Sequence, residues 1–212
     1  NGEDKDRIPA LGELSQELGI SVATLREQLE VARVLGVVEV KPRTGIHVLP
    51  YRFSPAVLKS ISYGVKIEPD LFNTYADLRN HIETAYWYQA VSLLTASDIS
   101  SLQSLVHQAQ DKLRQNPPQI PHFEHRELHL AIYKRLNNVF VSGLLEAYWD
   151  LYEANGLNIY KDIQYLDQVW RYHDRMVAAI SAGDFTGGFQ ALTEHMDLIS
   201  QRNRPVSRLS FE

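Results

Sequence analysis

Eight histidines are spread along the 212 residues, and four stand at intervals that suit shared chemistry. His125 and His129 are four apart, so on a helix their rings share a face about 5–6 Å apart, close enough for both to reach one cation. His173 and His195 lie twenty-two residues apart, an interval that puts them on two successive, antiparallel helices. Each has apolar neighbours: Trp170, Val177 and Ile180 around His173, and Leu192, Met196 and Ile199 near His195. Burying four unpartnered rings is costly, and one divalent ion shared among them would satisfy all four. Imidazole suits Zn²⁺ or Ni²⁺ better than harder ions such as Mn²⁺. A lone His on an apolar face is more often a hydrogen-bonded core residue, and spacing alone leaves both readings open. If the rings hold a metal, affinity is expected to weaken below about pH 6.5, where imidazole protonates.

The elements that would carry these rings are helices. Apolar periodicity predicts helices near 70–94, 97–115, 122–136, 138–154, 162–182 and 185–203. Their breaks have local causes. Ser97 is a candidate cap, Asn116-Pro117-Pro118 a stop and Asn137-Asn138 a turn; Gly156 loosens the next connection, and Gly183-Asp184 supplies a stop followed by a cap. No strand or repeat is expected here, so the fold class is mainly α, with an antiparallel helical bundle over 70–212.

The N-terminal part reads differently. Leu11, Leu14 and Leu18 mark a short helix that ends at Gly19. Ser21 can cap a second, whose stripe is Leu25, Leu29, Ala32 and Leu35. Past Gly36 the period becomes that of a hairpin: Val37, Val38 and Val40, a turn over Pro42–Gly45, then Ile46–Leu49. Helix, turn, helix and hairpin make a winged helix-turn-helix, whose second helix can enter a DNA major groove. This predicts a DNA-binding domain over 1–53. Tyr51–Pro55 reads as an interdomain linker and Ala56–Val65 as a short amphipathic helix, within a connecting segment 54–69.

Bulk properties narrow the function. Net charge is −5, and residues 1–53 hold seven Lys/Arg against eight Asp/Glu. Any nucleic-acid contact must therefore be local. There is no cysteine, which excludes disulfides and thiolate metal sites and suits a reducing cytoplasm. No apolar run is long enough to span a membrane.

Particular residues carry a resemblance. Ile8-Pro9, Glu13-Leu14, Ser21, Thr24-Leu25-Arg26-Glu27, Gly36 and Arg43-Thr44-Gly45 resemble the DNA-binding domain of GntR-family transcription regulators. Two arginines usual in that family are replaced here by Gly12 and Val22, which makes Arg26 the main groove-facing cation, helped by Ser21, Thr24, Lys41, Arg43, Thr44 and Gly45. The family's additional N-terminal helix has no counterpart before Arg7. Residues 70–203 resemble the FCD effector domain of the FadR subfamily, through His129, Asn138, His173, Ala179-Ile180, Gly183-Asp184 and His195, with Arg79 and Glu83 matching its Arg-x-x-x-Glu. The resemblance implies metal ligands at His129, His173 and His195, with His125 standing where the family has Asp. Glu124, Glu127 or an effector carboxylate could restore the missing negative charge.

The resemblance further implies a metabolite-responsive regulator that binds a palindromic double-stranded operator as a homodimer. Its effector is expected to be a small carboxylate held between the metal and Arg79, in a pocket made compact by Tyr86 and Trp87. The alternative is that Arg79 only pairs with Glu83 at i, i+4. A rival class is an HD-type metal phosphohydrolase, suggested by His173-Asp174. Adjacent helical residues point about 100° apart, and no Ser/His/Asp set, Gly-rich phosphate loop or paired carboxylates accompany it, so no catalytic residue is assigned. A third reading is a degenerate regulator that dimerises without reading DNA.

Overall fold

The computed structural model describes residues 6–154 and 163–203, the side chains of 199–203 excepted. Gly156 and the Ile199 side chain therefore lie outside the described residues.

The chain begins with β1 (Arg7–Ile8), followed by α1 (Leu11–Leu18), α2 (Val22–Val34), β2 (Val38–Lys41) and β3 (Gly45–Val48). The helices form as their caps dictate: Gly19 is left-handed at the end of α1, and the Ser21 hydroxyl accepts from the Thr24 N–H at the start of α2. The three strands pair antiparallel in the order β1-β3-β2, with Ile8 opposite Ile46 and Val38 opposite Val48. Sequence reasoning had no strand at β1, which is two residues long and too short to show a period. Among the described residues of this part only Val38 and Ile46 are buried.

Then come α3 (Ser54–Ile67), α4 (Leu71–Ser92), α5 (Ala96–Arg114), α6 (His122–Tyr133), a 3₁₀ turn at Lys134–Leu136, α7 (Val139–Ala154), α8 (Ile163–Ala182) and α9 (Phe185–Asn203). Two expectations change. The cap of α5 is Thr95, not Ser97: its hydroxyl accepts from the Asp98 N–H while Asp98 accepts from the Thr95 N–H at 2.8 Å, a reciprocal box. The helix after the winged part starts at Ser54, so most of the expected linker is helical or clamped. Arg52 and Ser54 both reach Glu146 of α7, at 2.7 and 2.8 Å. Gly143 permits this approach, because a Cβ there would stand 2.7 Å from the Phe53 Cβ. The preceding turn rests on the same joint: Gly36 has φ +71°, and a Cβ on it would meet Pro55 at 2.7 Å.

The main core gathers α4, α5, α6, α8 and α9 around Trp87, Leu102, Leu128, Ile132, Trp170, Met176 and Leu192. A second cluster, with Phe72, Tyr75, Tyr148 and Trp149, joins α3, α4 and α7. Burial of this kind is worth about 1.5–3 kcal/mol per large side chain, and it fixes the helix faces that carry the polar groups described next.

Candidate metal centre

Three helices bring the four histidines together. α6 supplies His125 and His129, α8 supplies His173 and α9 supplies His195; the candidate ligand atoms of all four lie within 4.8 Å of one another. His129, His173 and His195 are fully buried. Ring centroids are 4.3 Å apart for His173 and His195, 4.8 Å for His125 and His173, and 5.1 Å for His125 and His129. The i, i+4 spacing on α6 and the antiparallel pairing of α8 with α9 thus converge as the spacing predicts.

The hydrogen bonding is incomplete. His125 Nε2, His173 Nδ1 and both nitrogens of His195 are buried without a partner among the described residues. His129 Nε2 and His173 Nε2 face each other at 3.1 Å. Neutral rings in that arrangement share a single proton. The spacing is also close to the roughly 3.3 Å between two nitrogens on one tetrahedral zinc with Zn–N of about 2.0–2.1 Å. Orphaned nitrogens and an all-imidazole donor set in a largely buried setting fit a borderline-soft divalent ion such as Zn²⁺ or Ni²⁺.

Electrostatics keep the rings in the form a metal needs. Burial lowers the His173 pKa to about 3, helped by the Arg79 charge and opposed by Glu83. Burial, the largest cause, also holds His125, His129 and His195 well below the ordinary imidazole value, with Arg79 next for His129 and His173 next for the other two.

Beyond the rings stands a pair from α4. Arg79 is 3% exposed and Glu83 fully buried. Arg79 Nε lies 3.0 Å from Glu83 Oε1, Nη1 donates to Asn80 Oδ1 at 3.2 Å, and Nη2 donates to His129 Nδ1 at 2.8 Å. Its guanidinium lies over Tyr148 and Trp149 of α7, 5.1 and 5.4 Å from the ring centroids. Glu83 Oε1 is itself 3.2 Å from His129 Nδ1. Neither Glu83 oxygen has an aligned hydrogen-bond donor among the described residues. Burial raises the Glu83 pKa to about 7 against the opposing pull of Arg79.

Several sequence expectations meet this geometry differently. Arg79 does reach the cluster, and it also pairs with Glu83 on its own helix. Glu124 and Glu127 do not supply the carboxylate: they pair with Lys112 and Arg126, each at 2.6 Å. Glu83 is the carboxylate beside the rings, visible in the sequence only as the partner of Arg79. The aromatic wall is built by Trp149 and Trp170, at 4.7 and 6.1 Å from His125. Tyr86 and Trp87 do not form it: both pack into the main core, and the Trp87 N–H is spent on the Phe185 carbonyl at 2.8 Å. The Trp149 N–H has no acceptor among the described residues. Asn138 caps α7, accepting from the Phe140 and Val141 N–H groups. Asp174 is exposed beside buried His173, so an HD pair cannot act on one ion.

The DNA-facing candidates lie in the winged part. Arg26 is exposed on α2 with no ion-pair partner among the described residues. Ser21 and Thr24 spend one oxygen each on the cap, their hydroxyls 2.9 Å apart. Lys41 pairs with Glu39 at 2.6 Å. Arg43 sits at φ +70° in the β2–β3 turn and Gly45 at φ +95° where β3 begins, and Thr44 bonds His47 at 3.2 Å.

A winged helix-turn-helix ahead of an all-α bundle defines the class of two-part, helix-turn-helix transcription regulators. The family model of the FCD domain matches residues 75–198. The chain belongs to this family, as a GntR-type transcription regulator and not an enzyme. It is 23% identical over 93% of its length to 78% of the Uxu operon transcriptional regulator of Escherichia coli K12. Its fold is similar to that of Streptococcus agalactiae GntR, with TM-score 0.63, 18% identity and coverage of 92% and 89% of the two chains. It is also similar to E. coli McbR/YncC, with TM-score 0.53, 22% identity and coverage of 91% and 87%. No described helix is long and apolar enough to cross a membrane.

Proposed function

We propose that the chain is a cytoplasmic, homodimeric regulator that reads a palindromic operator and responds to a metal-dependent small carboxylate. The observation that carries this reading is the convergence of four imidazoles, three buried and His125 half-buried, with orphaned nitrogens on His125, His173 and His195. His125, His129, His173 and His195 would hold one Zn²⁺ or Ni²⁺, which supplies a Lewis-acidic anchor for an oxygen ligand. The charge balance supports an anionic effector. Four neutral rings leave a divalent charge uncompensated, and Arg79 and Glu83 cancel each other. An interior holding that excess favours a carboxylate, which Arg79 can meet with its planar fork. Two-fold dimers suit two operator half-sites.

Metal analysis of the purified chain tests the centre. One equivalent of zinc should raise the melting temperature, and His173→Ala should lower bound metal and the zinc-induced shift together. Stoichiometric zinc retained by a His129→Ala/His173→Ala double variant would refute the assignment. The DNA reading rests on Arg26. Arg26→Ala should weaken operator binding by about 1–3 kcal/mol with relaxed specificity at one position if it reads a base edge. If it holds only phosphate, the loss is uniform and the salt slope shrinks by about one. Unchanged affinity in a gel-shift titration would assign the groove to other residues.

A further inference from the structure

His129 Nδ1 has two suitors on the same helix turn. Arg79 Nη2 can only donate to it, and stands at 2.8 Å. Glu83 Oε1, when ionised, can only accept from it, and stands at 3.2 Å. A neutral imidazole carries one proton, so it can serve one of them and not both. With Arg79 donating to Nδ1, the proton is on Nε2 and is shared with His173 Nε2 at 3.1 Å. A cation taken up by these rings needs the Nε2 lone pair, which sends that proton to Nδ1.

We infer that metal uptake switches the His129 tautomer from an Arg79 acceptor to a Glu83 donor, and thereby releases the Arg79 Nη2 for an anion. This rests on the metal reading proposed above. The proton leaves Nε2 and returns to Nδ1 of the same ring by exchange with water, so the ring neither gains nor loses charge. Glu83 then becomes the positioning residue of the metal-loaded state. Its two oxygens, buried without an aligned donor, acquire the Nδ1–H, the carboxylate–histidine arrangement that orients a metal ligand. Arg79 loses an acceptor while it stays pinned by Glu83 and by the faces of Tyr148 and Trp149. Its freed N–H faces the ring cluster. The Trp149 N–H, also buried and without an acceptor among the described residues, belongs to the same wall. A ligand that gains from both is a small oxyanion with at least two acceptor oxygens, and it enters after the metal. Metal and anion then strengthen each other by equal factors.

The full-length chain labelled with ¹⁵N-histidine tests this at about pH 8, with zinc alone and then with malonate. Long-range proton–nitrogen correlation spectra report which ring nitrogen carries the proton. The His129 signals, assigned by loss in His129→Gln, should show Nε2–H without metal and Nδ1–H with one equivalent of zinc. Glu83→Gln, which keeps the shape but not the anionic acceptor, should weaken zinc about 10–100-fold. Arg79→Gln should weaken malonate at least tenfold in the zinc-loaded chain. If zinc shifts the His125, His173 and His195 rings while the His129 proton stays on Nε2, the switch is overturned and the metal centre stands. Malonate affinity unchanged in zinc-loaded Arg79→Gln overturns the release of Arg79. If zinc perturbs none of the four rings, the metal reading itself falls.

Discussion

Acidifying the metal-free chain should unfold the helical bundle steeply below about pH 6, and zinc uptake over the same range should release no proton from the rings. The four imidazoles are held neutral by burial, His173 down to about 3 and the others well below their ordinary value. In the unfolded chain they protonate near 6.5. Their folded pKa values are depressed, so the unfolded state binds more protons, and stability is full above about pH 6.5 and lost as pH falls through the window below it. Each neutral ring contributes a slope of up to about 1.4 kcal/mol per pH unit. Glu83 opposes this. Its folded pKa is raised to about 7, so its own contribution falls as pH rises from about 4.5 to 7, and it offsets about one ring. The net slope of up to roughly 4 kcal/mol per unit would consume an ordinary folding stability within about two units. Thermal melts of the metal-free chain from about pH 7.5 to 5 measure it, and a flat profile would refute it.

The same burial moves the pH dependence expected of the imidazoles below pH 6.5 to another group: zinc affinity still weakens on acidification, but through Glu83, raised to about 7. In the folded chain the rings are already neutral in that range. Zinc uptake near pH 6 should release about one proton, from Glu83, and none from the rings. Calorimetry in buffers of different ionisation enthalpy counts the protons. Release of two or more would mean that the rings are charged in the fold.

Glu83→Ala should be among the most damaging single substitutions in the bundle. Glu83 is fully buried and Arg79 nearly so, at 3% exposure. Deleting the carboxylate leaves a guanidinium facing four rings with no counterion. Breaking a buried pair from one side typically costs about 3–5 kcal/mol, which for a chain of this size corresponds to roughly 6–20 °C in melting temperature. Replacing both members should cost less than replacing Glu83 alone, because no charge is then stranded. A double-mutant cycle with Arg79→Met/Glu83→Leu measures the difference. If Glu83→Ala melts within about 2 °C of the parent chain, the pair is not the anchor that its burial implies.

Much was legible in the sequence because it depends on local spacing. The bundle helices fall close to where their apolar period and stop residues put them, since Gly183-Asp184 and Asn138 act through their own backbone neighbours. Ser21 and Gly19 likewise mark the two helices of the reading motif by local capping. The intervals of four on a helix and twenty-two across an antiparallel pair fix the faces of the four histidines, but spacing alone left a metal set and separate core residues both open, and the resemblance to the FCD domain joined them. Tertiary structure decided what those faces meet. Glu83 looks from the sequence like the far end of a surface-type i, i+4 pair; only the packing of α4 against α6 brings its oxygen to His129. Glu124 and Glu127 have the right type and the right helix, but point to Lys112 and Arg126. Trp87 and Trp149 are indistinguishable as aromatic residues on long helices; contact with Gly188 takes the first into the core, and α7 delivers the second to the rings. Helical periodicity assigns a residue to a face, whereas its charge state and partners depend on which neighbouring helix removes it from water and what that helix offers in exchange.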